Sequence, residues 1–244
     1  MPTLPRPTVR VRGLDYLDAD TAHLSALLCE RLKSTHPTVI FTPNAKIAGD
    51  AQRDATLHAL LEQADLLLPD GAGILLASRR LADRPLTHRL PGIEAGEIVL
   101  RLAAQQGQPV YFLGGKPGIA ERAAKAWHEH LPPLSIVGTH HGYFDAKGSE
   151  NKSVLQEIRD SGAQILIVCL GFPAQERWIL QSKDALPAVR LFMGLGGSLD
   201  VWSGQIRRAP ALFRALHCEW LWRMLCEPRR FVQIPALLRY VFGR

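Results

Sequence analysis

Short apolar runs alternate with amphipathic stretches along most of this 244-residue chain. The runs are rich in β-branched residues and nearly free of polar positions, which is typical of strands buried on both faces of a parallel sheet. The predicted strands are residues 38–42, 66–68, 110–113, 135–138, 165–170 and 189–193. The predicted helices are residues 20–33, 45–63, 93–106, 118–130, 149–160 and 175–182. This alternation predicts an α/β fold with a doubly wound, mostly parallel sheet and helices on both faces.

Polar and glycine-rich segments follow the predicted strands. Because ligands of doubly wound sheets bind beyond the carboxyl ends of the strands, we expect these segments to line one crevice. They read PN at 43–44, PDGAG at 69–73, GGKPG at 114–118, THHGYF at 139–144, GFPAQE at 171–176 and GLGGSLD at 194–200. Glycine turns of this kind suit a nucleotide diphosphate. Neither glycine loop has GxGxxG or P-loop spacing, so tight strand-to-helix turns remain the alternative.

Asp70 is the candidate general base. It lies between a wholly apolar strand and the small residues at 71–73, a position where a carboxylate can reach a substrate proton. The alternative is an N-cap for the helix predicted at 73–80. Arg89, in the loop at 87–92, is either a phosphate clamp or a solvated loop arginine.

Two short clusters contain the residue types of metal sites. Asp18-Ala19-Asp20 matches the DxD pattern of many nucleotide-sugar enzymes, but Asp20 is better placed to cap the helix that follows. The pair His140-His141 has no third ligand at a suitable spacing. The sequence also has no GxSxG elbow and no Cys/His nucleophile pattern. We therefore expect no bound metal, no cofactor and no covalent acyl chemistry.

The formal net charge of +6 lies entirely in the last forty residues. From residue 205 onward the chain has eight arginines, no lysine, two glutamates and six aromatic residues. This composition predicts two parts, a catalytic domain at 1–204 and a helical, membrane-facing appendage at 205–244. Its expected partner is anionic, either a membrane surface or a diphosphate lipid.

The overall composition limits the class and compartment of the protein. Hydrophobic residues make up 47% of the chain and charged residues 21%, which excludes disordered and fibrous classes. No apolar stretch approaches the ~20 residues of a membrane span, and the first residues lack the apolar stretch of a secretory signal. The four cysteines lie among apolar residues, which predicts buried, reduced thiols. We expect a cytoplasmic protein.

The motifs, taken in order, resemble one family. TPNA, PDGAG, HRLPG, FLGGKPGIAE, GYF, LGFPAQERWI, GLGGSLD, RRAP and EWLWRMLCEPRR are similar to those of the WecG/TagA/CpsF-type bacterial glycosyltransferases. That family includes teichoic-acid N-acetylmannosaminyltransferases and N-acetylmannosaminuronic acid transferases, and the resemblance spans residues 38–239. It implies transfer of a sugar, with inversion, from a UDP-sugar to a polyprenyl-diphosphate-linked saccharide for cell-surface polysaccharide. The implied location is the inner face of the cytoplasmic membrane.

The resemblance also implies roles for single residues. Asp70 matches the proposed base of the family. The matched positions in the catalytic pocket are Thr42, Asn44, Arg89 and Gln175, and those at the uridine are Tyr143 and Asp200. Gly142 is a further expected substrate-binding position. In the appendage, Arg229 and Arg230 are expected to reach the donor or lipid diphosphate. The motif PAQE departs from the family at Ala174, where lysine is common, so one expected charge is missing.

Two other functions fit parts of the sequence. A nucleic-acid-binding protein would also use clustered arginine and aromatic residues, although it has no need for the polar strand ends. A nucleotide-dependent oxidoreductase would share the fold but lacks the GxGxxG fingerprint. We favour the transferase and expect no nucleic-acid partner. The donor sugar, the acceptor saccharide and a homo-oligomeric state are left open.

Overall fold

The computed structural model describes residues 7–210, 213, 222 and 234–243. The chain divides into two compact units. The first unit comprises Met1–Asp20, Thr42–Pro91 and Arg207–Arg244, and the second comprises Thr21–Phe41 and Gly92–Ile206. Described residues beyond 206 thus belong to the first unit, and the domain boundary at 204/205 stays a prediction.

The described residues contain eight strands and ten α-helices. The strands are β1 (Thr8–Val11), β2 (Leu14–Leu17), β3 (Thr38–Phe41), β4 (Leu66–Leu67), β5 (Val110–Gly114), β6 (Ile136–His140), β7 (Ile165–Cys169) and β8 (Leu191–Gly194). The helices are α1 (Thr21–Lys33), α2 (Ala45–Arg53), α3 (Ala55–Glu62), α4 (Ala72–Leu81), α5 (Gly92–Gln106), α6 (Ile119–His130), α7 (Ser149–Asp160), α8 (Ala174–Ser182), α9 (Ser198–Trp202) and α10 (Ile234–Phe242). The predicted α/β fold with mostly parallel strands is confirmed.

The second unit holds five parallel strands in the order β3-β8-β7-β5-β6. Every residue of β3, β5, β7 and β8 is buried, as the uninterrupted apolar runs predict for strands covered on both faces. The chain runs from β5 to β6 on one side, then returns to β7 on the other side of β5. This reversal is the topological switch point where ligands of such sheets bind.

The first unit begins with a hairpin that the sequence analysis missed. β1 and β2 are antiparallel, and β2 continues in parallel to β4 with Tyr16 opposite Leu67. Arg12 and Gly13 form the two-residue turn with φ of 48° and 87°. This positive-φ pair matches the twist of a hairpin. β1 alternates exposed and buried residues, and the exposed Asp15 interrupts β2, so both strands lack the continuous apolar pattern that identified the others.

The helix predicted at 45–63 is two helices. Asp54 separates α2 from α3, and its Oδ1 accepts hydrogen bonds from Thr56 N at 2.8 Å and Leu57 N at 3.4 Å. An aspartate in extended backbone is a favoured N-cap, so α3 starts anew there. The boundaries of the other predicted helices are correct to within one residue.

Helix α10 packs on α2 and α4 within the first unit. Tyr240 is buried, and a Cβ added at Gly49 of α2 would lie 3.4 Å from Tyr240 Cβ. The Arg12 guanidinium donates to the carbonyls of Tyr240, at 3.1 Å, and Gly243. Carbonyls at the C-terminal end of a helix have no donor within the helix, so Arg12 of the hairpin turn caps α10.

The thiols only partly match expectation. Cys169 is buried, but Cys29 is half-buried, and Gln106 Nε2 donates to its sulfur at 3.3 Å. Both are free thiols. Cys218 and Cys226 lie outside the described residues. None of the described helices is long and apolar enough to cross a membrane.

Candidate active site

Asn44 and Asp70 lie opposite each other in the first unit. Their backbones form an isolated parallel bridge just beyond the ends of two apolar segments. The Asn44 side chain caps α2, since its Oδ1 accepts from Lys46 N at 3.0 Å and from Ile47 N at 3.1 Å. The cap fixes the orientation of the Asn44 carboxamide. The structure thus brings together two of the residues that the sequence predicts for the catalytic pocket.

Asp70 does not occupy the N-cap of α4. That position belongs to Gly71, whose φ of 86° turns the chain sharply between the strand and the helix and which makes no side-chain cap. Asp70 is half-buried one residue before it. The N-cap position itself is thus Gly71, and the role of Asp70 as a general base stays a prediction.

Arg89 lies in a loop fixed on both sides. Leu90 N donates to Pro69 O at 3.0 Å, directly before Asp70. On the other side, the buried Asp18 carboxylate accepts from His88 N at 3.2 Å. Burial acts to raise the pKa of Asp18, but hydrogen bonds from Thr87, Arg84 and His88 outweigh it and hold that pKa below its ordinary value. Arg89 itself is half-buried.

In the second unit, the segments after β5, β6 and β7 meet at the switch point. A Cβ at Gly114, where φ is 138°, would overlap the carbonyl group of Cys169. Gly115 N donates to that carbonyl at 3.2 Å, and Gly142 N donates to Gly115 O at 2.8 Å. A Cβ at Gly142 would lie 2.8 Å from the Leu170 side chain. Close backbone approach therefore requires glycine at Gly114, whereas a side chain at Gly142 would first have to displace the Leu170 side chain.

Tyr143 projects from this junction with 67% of its surface exposed. Its backbone N–H donates to His141 Nδ1 at 3.3 Å. Beneath the loop, Phe144 packs edge-on against His140 and Trp178, with ring centroids 5.5 and 6.5 Å apart. The aromatic packing fixes the loop and leaves the Tyr143 ring accessible to a ligand.

Gln175 and Glu176 are buried at the start of α8. Gln175 Nε2 donates to Glu176 Oε1 at 2.9 Å, and Gln175 Oε1 accepts from Gly196 N at 2.9 Å. A Cβ at Gly194 would lie 2.9 Å from Gln175 Nε2. Gln175 therefore joins α8 to the loop after β8. Burial raises the pKa of Glu176 to about 7, although the Gln175 hydrogen bond opposes this shift.

Asp200 lies on α9, at the end of the same loop, and is half-buried. Its backbone carbonyl accepts from Ile206 N at 2.9 Å and from Ser203 Oγ at 3.0 Å, which closes the C-terminal end of the short helix. Nearby, burial raises the pKa of the Cys169 thiol to about 12. That thiol is protonated at neutral pH and is no nucleophile.

The predicted site residues fall into groups. Thr42, Asn44, Asp70 and Arg89 belong to the first unit, and Gly142, Tyr143, Gln175 and Asp200 to the second. Arg229 and Arg230 lie outside the described residues. Within the described part of the chain, no three or more His, Cys, Asp or Glu side chains cluster as a metal site would require.

Sequence reasoning missed the structural roles of Asp18 and Glu176. Asp18 was considered only as part of a DxD pattern, because its hydrogen-bond partners lie 66 to 70 residues further along the chain. Glu176 was considered only as part of a motif. Its position three residues before the buried Ile179, a spacing that puts both residues on one face of the helix, was the available signal of burial.

Comparison with known proteins places the chain in a family. It matches the model of the Glycosyl transferase WecG/TagA/CpsF family over residues 9–243, which include both units. It is also 34% identical over 210 residues to the N-acetylglucosaminyldiphosphoundecaprenol N-acetyl-beta-D-mannosaminyltransferases of Staphylococcus aureus strains NCTC 8325 / PS 47 and COL. These alignments cover 86% of this chain and 80% of each relative. The protein belongs to the WecG/TagA/CpsF family and is a glycosyltransferase.

Proposed function

We propose that this glycosyltransferase moves a sugar from a UDP-sugar to a polyprenyl-diphosphate-linked saccharide, with inversion at the anomeric carbon. The observation that carries the proposal is the Asn44–Asp70 backbone bridge, which pairs the residue bearing the carboxylate with one whose carboxamide is held as a helix cap. The named activity of the S. aureus relatives, transfer to N-acetylglucosaminyl-diphosphoundecaprenol, supports this acceptor class. Family membership also argues against the nucleic-acid and oxidoreductase alternatives.

The chemistry is a single displacement. Asp70 takes the proton from an acceptor hydroxyl, whose oxygen attacks the anomeric carbon as the bond to the UDP oxygen breaks. UDP leaves with the electron pair of that bond, and attack from the opposite face inverts the configuration. The Asn44 side chain, fixed as a cap through Oδ1, offers its Nδ2 group to orient a substrate oxygen. Thr42 and Arg89 complete this group, with Arg89 on the diphosphate.

The second unit supplies the donor site in this proposal. Its polar strand ends meet at the switch point of the sheet, the usual ligand position in this architecture. The exposed Tyr143 ring offers a face for uracil, and the Asp200 carboxylate suits the ribose or uracil donors. Backbone amides of the glycine loops suit the diphosphate.

Replacing Tyr143 with alanine is expected to raise the Kd for UDP about tenfold, because a stacking face worth about 1.4 kcal/mol is lost. Isothermal titration calorimetry with UDP measures this directly. Asp200→Ala should weaken UDP binding too, whereas His128→Ala, an exposed ring on α6, should not. Unchanged UDP affinity in both Tyr143→Ala and Asp200→Ala would place the nucleotide elsewhere.

We further propose that the enzyme works on the anionic inner surface of the cytoplasmic membrane. Several large exposed apolar side chains lie on α4 and α10, namely Leu76, Leu81, Leu238 and Phe242. The Arg80 guanidinium lies 5.2 Å from the centre of the Phe242 ring, so the two helices meet at this surface. Taken together, the two helices contain three arginines and no acidic residue. Apolar side chains flanked by arginine suit an anionic bilayer surface.

The double variant Leu76→Ser/Leu238→Ser is expected to bind vesicles containing phosphatidylglycerol at least about tenfold more weakly, since each leucine contributes about 1 kcal/mol of apolar burial. Co-sedimentation measures the effect. The matched control Val137→Ser/Ile206→Ser removes exposed apolar side chains from the second unit and should sediment like the wild type. Equal losses in both variants would contradict this membrane surface.

Product analysis tests the proposed reaction as a whole. The protein is incubated with a panel of UDP-sugars and a short-chain polyprenyl-diphosphate N-acetylglucosamine acceptor, and the products are separated and their anomeric configuration assigned by NMR. We expect one donor to give a glycoside inverted relative to the donor. A retained configuration would remove the single-displacement role of Asp70, and transfer from no UDP-sugar would overturn the donor class.

A further inference from the structure

Asp18 holds one loop through four hydrogen bonds to its carboxylate. Its side chain is 4% exposed and follows β2. Oδ1 accepts from Thr87 N and Thr87 Oγ1, both at 2.8 Å, and from His88 N at 3.2 Å. Oδ2 accepts from Arg84 Nη1 at 2.7 Å. A buried carboxylate is unfavourable unless it is bonded in this way, so the arrangement fixes the loop at 84–88 firmly.

The same loop is attached on its other side to the segment of the proposed base. Leu90, itself buried, donates its backbone N–H to Pro69 O at 3.0 Å. The backbone is therefore held on both sides of Arg89. His88 N donates to Asp18, and Leu90 N donates to Pro69 O. Pro69 immediately precedes Asp70 in the chain.

We infer that Asp18 is a positioning residue of the transfer reaction, which fixes Arg89 in register with Asp70. This inference rests on the proposed function, in which Arg89 meets the diphosphate. An arginine binds phosphate through a rigid fork, and a displacement of about 1 Å can lower the rate as much as ~10²-fold. The ion pair with Arg84 also neutralises Asp18, so no uncompensated negative charge stands near the diphosphate.

The geometry decides against a metal-ligand role for Asp18. Of the two carboxylate oxygens, Oδ1 accepts from three protein donors, and Oδ2 accepts from the cationic Arg84 guanidinium. A cation at Oδ1 would displace bonds that order the loop, and a cation at Oδ2 would be repelled by Arg84. Asp18, the buried residue of the DxD pattern, thus fixes the loop that carries Arg89.

A double-mutant cycle between Asp18 and Arg89 tests the inference. Asp18→Asn replaces acceptor lone pairs with an amide facing N–H donors, and is expected to lower kcat/KM by about tenfold or more. Arg89→Ala is expected to lower it as well. If Asp18 acts through Arg89, Asp18→Asn should have little further effect in the Arg89→Ala background. The matched control is Asp15→Asn, which removes an exposed ion pair with Arg10 in hairpin β1–β2, directly before Asp18. It should keep full activity.

Thermal unfolding of each variant separates positioning from folding. If Asp18→Asn does not fold, Thr87→Val removes only one of the four bonds, from an exposed residue, and should lower kcat/KM a few-fold by the same coupling. Equal losses in both Arg89 backgrounds, or full activity in the folded Asp18 and Thr87 variants, would overturn the positioning role alone. Full activity of Arg89→Ala itself would overturn both this role and the proposed placement of Arg89.

Discussion

Asp70→Asn is expected to lower turnover by about 10²- to 10⁴-fold while leaving the Kd for UDP unchanged. An amide cannot accept the acceptor proton, but it preserves the size of the side chain and the backbone bridge with Asn44. The effect should therefore appear in kcat, with the donor KM nearly constant. Steady-state kinetics with the lipid-linked acceptor, together with calorimetry for UDP, measure both quantities.

The matched control for this substitution is Asp65→Asn, an exposed aspartate shortly before β4. It should behave as the wild type. Wild-type turnover in Asp70→Asn would remove the residue from the chemistry and leave it as part of a turn. Loss of UDP binding in the same variant would instead point to a damaged fold, which circular dichroism would reveal.

Glu176→Gln is expected to remove a pH dependence of stability worth about 3 kcal/mol. Burial raises the pKa of Glu176 from its ordinary 4.5 to about 7 in the folded protein. Between these values the native state keeps a proton that the unfolded chain releases. The free energy of unfolding of the wild type therefore falls as pH rises from 4.5 to 7 and levels above 7. The variant does not ionise and should lack this fall.

Urea unfolding across pH 4.5 to 8 measures the difference between the two proteins. Other groups titrate in both, so only the wild-type-minus-variant difference carries the result. Glu129→Gln, an exposed glutamate of α6, is the control and should follow the wild type. A Glu176→Gln curve parallel to the wild type would show that Glu176 is ionised throughout, and that its burial is relieved in solution.

The sequence predicted the elements whose signal is local. Strands β5 and β7 were found because a strand buried on both faces shows a continuous apolar run. Hairpin β1–β2 was not, since exposed residues interrupt its apolar pattern and its turn depends on a positive φ at Arg12, a residue type that rarely adopts it.

The same distinction holds in the candidate site. Asp70 was predicted from its position at a strand end, and the structure places it beside Asn44. The Asn44 cap is also local, since its partners are two and three residues away and asparagine directly precedes the predicted helix, so the sequence carried a signal for it. That Asp18 anchors the Arg89 loop could not be predicted, because this role depends on residues that tertiary packing brings together from about 70 positions away. Spacing along the chain carries no record of such pairs.

The cap that Arg12 places on α10 has a consequence for protein synthesis. The residues it joins are 228 and 231 positions apart, whereas the second unit needs nothing beyond Ile206. At ~5 to 20 residues per second, roughly 2 to 7 s separate the translation of residue 206 from that of residue 243. During this interval the nascent first unit lacks helix α10, whose Tyr240 side chain covers Gly49 of α2. The exposed faces of α2 and α4 are then the part of the ribosome-bound chain on which a chaperone would act.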